Sequence, residues 1–247
     1  MCGRCIVLDL TDQVASVALF GSIGVGKSFV AHTVLHDDRS KAKFGQNRHS
    51  IRCDDLTNSV KSFIERLTDV LCSNRTSSSS VAQLRSHLES SPPLLLLLDG
   101  ADFILDPQAP EFEDIYATIE VFGSYEHVCM VTTSRMHPDI RGFHRIEIPT
   151  LSEDDARDIF YSLSDLHSSS VVDAFITRLD FHPLSLEHFA SYVRENRSSG
   201  MSWSLHFALR RLASLGQSPG LCFQQPQPSH LGSKNANWRG FSTKPPE

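Results

Sequence analysis

The octet Gly21-Ser22-Ile23-Gly24-Val25-Gly26-Lys27-Ser28 lies between a short apolar run, Val14 to Phe20, and a segment of helical spacing, Lys27 to His36. A strand that passes through three glycines directly into a helix constrains the fold more than any bulk property. The octet satisfies G-x-x-x-x-G-K-[S/T], the phosphate-loop pattern, in the strand-to-helix setting that pattern needs. Glycines at 21, 24 and 26 let backbone N–H groups converge on phosphate oxygens, and the N-terminus of the following helix adds a favourable dipole. Lys27 is placed to neutralise β and γ phosphates, and Ser28 to give one hydroxyl to Mg²⁺. The cofactor-binding set read here is Gly21, Gly24, Val25, Gly26, Lys27, Ser28 and Phe29, with ATP or ADP and Mg²⁺ as cofactors.

Strand-like and helix-like segments alternate after the loop. A β-like run spans His49 to Cys53, and Leu56 to Cys72 carries apolar residues on one helical face. Ser77 to Ser80 reads as a loop and Val81 to Leu88 as a short helix stopped by Pro92 and Pro93. Leu94 to Leu98 is a run of leucines closed by Asp99 and Gly100, which fits a strand buried on both faces of a parallel sheet. Phe112 to Val121 reads as a helix, and His127 to Val131 and Arg145 to Ile148 as strands. The expected fold is α/β, a doubly wound parallel sheet followed by a small all-helical subdomain. That subdomain opens at Ser152, an N-cap followed by Glu153, Asp154 and Asp155, with further helices at Ser170 to Leu179, Leu184 to Arg194 and Trp203 to Leu215. The expected division is 1–150 for the nucleotide domain, 151–215 for the helical subdomain and 216–247 for a disordered tail rich in Gln, Pro, Ser, Gly and Asn.

A chain of 247 residues can bury one such α/β core with a small appendage. Its net charge of -6 and sequence pI near 6.0 argue against a basic nucleic-acid footprint, so no nucleic acid is expected as a partner. The six cysteines are scattered, and Cys2 with Cys5 form a C-x-x-C pair that no second pair follows at zinc spacing; all are read as free thiols. The N-terminal apolar stretch is cut by Asp9 and Asp12, and no run approaches the ~18 apolar residues of a membrane span. A cytoplasmic protein without a membrane partner is expected.

The phosphate loop requires a partner carboxylate at the end of another buried strand, and Asp99, after the leucines, fits as a second ligand of Mg²⁺ beside Ser28. Asp102 could orient the attacking water, and it fits equally well as a helix cap. Thr132-Thr133-Ser134-Arg135 follows at the end of the His127 to Val131 strand and would place polar side chains and a guanidinium beside the γ-phosphate, and Arg135 fits also as a solvated loop arginine. The catalytic candidates are therefore Asp99, Asp102 and Arg135. The sequence holds no N-K-x-D for guanine, which favours adenine. His182-Pro183-Leu184 reads as a helix start.

Together these segments resemble the NB-ARC and NACHT group of signal-transduction ATPases, especially fungal members with tetratricopeptide-type repeats. The matching pieces are GSIGVGKSFVAHTVLHDDR at 21–39, LLLLLDGADFILDP at 94–107, VTTSR at 131–135, IPTLSEDDARDIFYSL at 148–163 and FHPLSLEHFA at 181–190. The resemblance implies that Asp99 is the Walker B acid, Arg135 a sensor of the γ-phosphate, and Pro183 a cofactor-binding residue packed near adenine. It also implies a switch that exchanges ADP for ATP, hydrolyses slowly if at all, and works through protein partners or self-association. Ile23 stands where the family often has glycine, and Gly100 where an acid is expected. No winged-helix segment, M-H-D motif or repeat array follows Leu215, so the chain reads as a truncated form. The competing readings are a non-catalytic interaction protein and an ordinary P-loop phosphotransferase.

Overall fold

The computed structural model describes residues 16–54, 56, 59–72, 81–109, 111–137, 139–166 and 170–197. Residues 1–200 group as one compact unit and 201–247 as a second, and every described residue lies in the first. Cys2, Cys5, the Ser77 to Ser80 loop, the Trp203 to Leu215 helix and the tail beyond 216 all lie outside the described residues.

The chain runs β1 (Ser16–Phe20), α1 (Lys27–His36), α2 (Asp38–Phe44), β2 (Arg48–Arg52), α3 (Val60–Leu71), α4 (Val81–Ser90), β3 (Leu94–Asp99), α5 (Phe112–Gly123), β4 (Val128–Ser134) and β5 (Phe143–Glu147). Three helices follow: α6 (Glu153–Ser164), α7 (Ser170–Arg178) and α8 (Pro183–Arg197). The strands form one parallel sheet in the order β2-β3-β4-β1-β5.

The leucine run explains the layering. Leu94, Leu96 and Leu98 face a core shared with Phe63 and Leu67 of α3, Leu84 of α4, and Ile119 and Phe122 of α5. Leu95 and Leu97 face the opposite core, with Ala31, Val34 and Leu35 of α1 and Phe44 of α2. A strand covered on both faces has no polar side to present, so it reads as continuous hydrophobicity rather than alternation. Each fully buried leucine contributes about 1.5–3 kcal/mol of transfer free energy, which makes β3 the anchor of both layers. β5 is an edge strand, with Phe143 turned inward and His144 and Arg145 exposed, which discourages pairing with another chain.

Several boundaries differ from the sequence reading. α2 is an additional helix, capped by Asp37, whose side chain accepts from Arg39 N at 2.9 Å. α3 starts at Val60 because Ser59 caps it, its Oγ accepting from Ser62 N at 3.1 Å; Leu56 packs against the core from outside the helix. β4 continues through Thr132, Thr133 and Ser134, all buried, because β1 and β3 pair it on both sides. Pro183, rather than Leu184, is the first residue of α8. Ser152 caps α6 as its sequence indicates, its Oγ accepting from Asp155 N.

Candidate functional site

Asp99 closes β3 and the phosphate loop leaves β1, yet these strands are not neighbours. β4 lies between them, with Thr133 beside Leu19 of β1 and Thr132 beside Leu98 of β3. The strand ends thereby converge on Thr133. Ser28 Oγ donates to Asp99 Oδ1 at 2.7 Å, and Thr133 Oγ1 donates to the same oxygen at 2.6 Å. Gly100 N in turn donates to Thr133 Oγ1 at 2.8 Å, and Ala101 N to Thr133 O at 2.7 Å. One hydroxyl thus ties the turn after β3 to the sheet and aims the carboxylate at Ser28. His32, one turn further along α1, brings Nε2 to 3.8 Å from Asp99 Oδ2.

The loop's three named glycines serve different ends. Gly21 has φ +146°, and a Cβ there would stand 2.9 Å from Ile148 O. Gly24 has φ +78°, and its Cβ would meet Leu184 Cβ at 2.5 Å. Gly26 has φ +103°, and a Cβ there would meet no atom of the chain within 4 Å, so within the chain its requirement is conformational; it is the N-cap of α1. Lys27 Nζ donates to Gly21 O at 3.0 Å and Ser22 O at 2.8 Å, which holds the ammonium along the loop. Burial lowers its pKa, an effect strengthened by Arg135 and opposed by Asp102 and Asp99. Val25 is buried against the α1 core, whereas Phe29 is 78% exposed.

Arg135 and Asp102 act as a unit. Arg135 N donates to Asp102 Oδ1 at 2.6 Å, and Arg135 Nε lies 3.2 Å from Asp102 Oδ2. Both oxygens of Asp102 therefore face Arg135. Pro183 begins α8, and the next residue reaches the loop: Leu184 N donates to Gly24 O at 3.3 Å. A Cβ on Gly24 would also stand 3.1 Å from His182 Cε1. The site thus draws Thr133, His32, His182 and Leu184 together with the residues expected. Only the polar T-T-S stretch gave Thr133 any signal in the sequence.

The donor set suits Mg²⁺. Ser28 Oγ and Asp99 supply two hard oxygen donors side by side, and Mg²⁺ takes few protein ligands while keeping several waters. Bound there, the ion would neutralise charge on phosphate oxygens. The loop N–H groups, Lys27 and the α1 N-terminus fit the phosphates themselves. Among the described residues no group of three or more His, Cys, Asp or Glu could hold a metal ion. No described helix is long and apolar enough to cross a membrane.

No protein-family model matches the chain, and no curated protein matches its sequence. Solved structures do match its fold. An Orc1 protein from Aeropyrum pernix in complex with DNA superimposes with a TM-score of 0.56 at 17% identity, covering 85% of this chain and 64% of that one. AMPPCP-bound DnaA from Aquifex aeolicus gives 0.53 at 15% identity, covering 84% and 65%. A signal-transduction ATPase with numerous domains and a tetratricopeptide-repeat sensor, from Pyrococcus horikoshii, gives 0.50 at 11% identity, covering 74% and 28%. The chain thus spans just under two thirds of the first two structures' length. The sheet order, the glycine loop and these likenesses define an α/β fold of the P-loop NTPase class. The DNA in the Orc1 complex overturns the exclusion of nucleic acid drawn from net charge. Summed charge does not describe the local surface on which binding depends.

Proposed function

We propose that this chain is an adenine-nucleotide switch module of a signalling ATPase similar to NB-ARC proteins. The observation that carries the reading is the junction at Asp99 Oδ1, where Ser28 of α1 and Thr133 of β4 both donate to the carboxylate that closes β3, within 2.7 Å. In this reading Gly21 to Ser28 cradles the phosphates of ATP or ADP, and Ser28 and Asp99 hold Mg²⁺. Arg135 senses the γ-phosphate and Pro183 packs near the base. The choice of adenine rests on the missing N-K-x-D. Slow hydrolysis is supported by Gly100 standing beside Asp99 and by Asp102 turning both oxygens to Arg135. Switching is supported by the Leu184–Gly24 contact, through which the helices after the sheet meet the loop. A ligand that favours one arrangement of that contact shifts the population toward it.

The likeness to a DNA-bound Orc1 protein favours a second reading, in which the nucleotide state governs contact with DNA. One binding series tests both. Fluorescent ADP, ATP and GTP analogues are titrated into the full chain and into Lys27→Ala, with and without Mg²⁺, and then labelled single- and double-stranded DNA. We expect adenine nucleotides to bind at least tenfold more tightly than GTP, and Lys27→Ala to lose at least tenfold. A folded chain that binds no nucleotide would sink the proposal. DNA binding that changes between ADP and ATP would select the second reading.

A further inference from the structure

Beyond the phosphate loop, the carboxyl ends of β3 and β4 open into a cavity of about 500 Å³ on the α5 side of the sheet. That volume falls within the range of small-molecule sites, roughly 300–1,000 Å³. Its body is aromatic and apolar: Phe103, Phe112, Tyr116, Met136 and Ile140. Phe103 is 48% exposed and Met136 73% exposed, so both stand open to solvent. The Asp102–Arg135 pair also lines it.

Charge decides what such a cavity would take. Three carboxylates line it, Asp102, Asp106 and Asp139. Asp102 is matched by Arg135, and Asp139 by Arg145 at 2.6 Å. Asp106 accepts a backbone bond from Gln108 N at 2.9 Å, and no cationic side chain lies in salt-bridge range of it among the contacts of the described residues. Asp106 is exposed at the cavity and shares its lining with Phe103, Phe112 and Tyr116, a setting that attracts an organic ammonium ion: the carboxylate supplies Coulomb attraction and rings in reach supply cation–π stabilisation. At Asp106 itself a phosphate or carboxylate would be repelled, while the guanidinium of Arg135, which also lines the cavity, is already matched by Asp102.

We propose that this cavity is a second ligand site, for a small amine that carries an aromatic or aliphatic body, with Asp106 as the ammonium partner and Phe103, Phe112, Tyr116 and Met136 as the apolar wall. The site goes beyond nucleotide binding and does not depend on it, although Asp102–Arg135 would sense both occupants.

The test uses three probes of one shape and different charge: 2-phenylethylamine, 2-phenylethanol and 3-phenylpropanoate. Each is titrated into the full chain by saturation-transfer NMR without nucleotide, then into Asp106→Asn and Phe103→Ser, both changes at exposed positions. We expect saturable amine binding at least fivefold tighter than the alcohol, and no binding of the acid. Asp106→Asn should weaken the amine at least threefold and leave the alcohol unchanged, while Phe103→Ser weakens both. Absence of amine binding, parity among the probes, or an amine affinity untouched by Asp106→Asn would each overturn the proposal, and none of these results bears on the phosphate loop.

Discussion

Thr133 has more consequences than its size suggests. Its hydroxyl donates to Asp99 and accepts from Gly100 N, so Thr133→Val removes both links while keeping the side-chain shape. The half-buried Gly100 N–H then loses its partner, and since a fully buried unpaired donor costs about 1–3 kcal/mol, a loss near the low end, about 1 kcal/mol, is expected. We expect urea unfolding to shift by that amount at unchanged m, with Mg²⁺-dependent nucleotide affinity falling as Asp99 loses its orientation. An unchanged midpoint would show that the hydroxyl network does not hold the turn. The buried thiols make a second prediction. Burial, with Asp99 and Asp54 nearby, pushes the Cys53 thiol up to about 12, and burial pushes Cys129 to about 11. Thiolate is the reactive form, so neither should be alkylated by iodoacetamide at pH 8 before denaturant is added. The unfolded thiols lose their protons near the ordinary 9.0 while the folded ones keep theirs, so stability should fall as pH rises from about 9 toward 12. Peptide mapping and urea titrations across that window check both statements.

Leu96→Ala tests the central strand. Leu96 is buried on the α3–α5 face, and truncating a buried leucine to alanine costs about 2–5 kcal/mol through lost transfer energy and the cavity left behind. Chemical denaturation should register that loss; a change below about 1 kcal/mol would mean the face repacks freely. This strand was legible in the sequence because flanking prolines and Asp-Gly left room for five residues only. The end of β4 was not. Thr132, Thr133 and Ser134 look like the loop that follows a strand, yet β1 and β3 pair β4 on both sides and hold the polar residues inside the sheet. Hydrogen bonding from neighbouring strands is not written in a strand's own residues. α2 was missed for a related reason: seven residues give too few turns for a periodic signal, and its marks are the Asp37 cap and Gly45 at its end.

Across the first unit, the alternation of strands and helices foretold a parallel sheet, and the glycine octet with Asp99 pointed to the place where Ser28 and Asp99 meet. Neither foretold the order β2-β3-β4-β1-β5, since no local pattern records which strands meet, and the contact between Leu184 and the loop stayed hidden for the same reason. That contact gives the last prediction. Gly24 and Gly26 both have positive φ, so alanine at either strains the loop and should weaken nucleotide binding. They differ in what lies beyond. A Cβ at Gly24 would stand 2.5 Å from Leu184 Cβ, whereas at Gly26 it would meet nothing within 4 Å. Gly24→Ala should therefore also push the start of α8 off the loop, break the Leu184 N to Gly24 O bond, and speed hydrogen exchange across 184–190. Gly26→Ala should leave exchange in α8 as it is in the parent chain. If the two variants protect α8 equally, the helices are not seated on the loop through Gly24. If only Gly24→Ala loosens α8, a change of a few ångströms at the phosphate cradle reaches the helical segment directly, which is what a nucleotide switch requires.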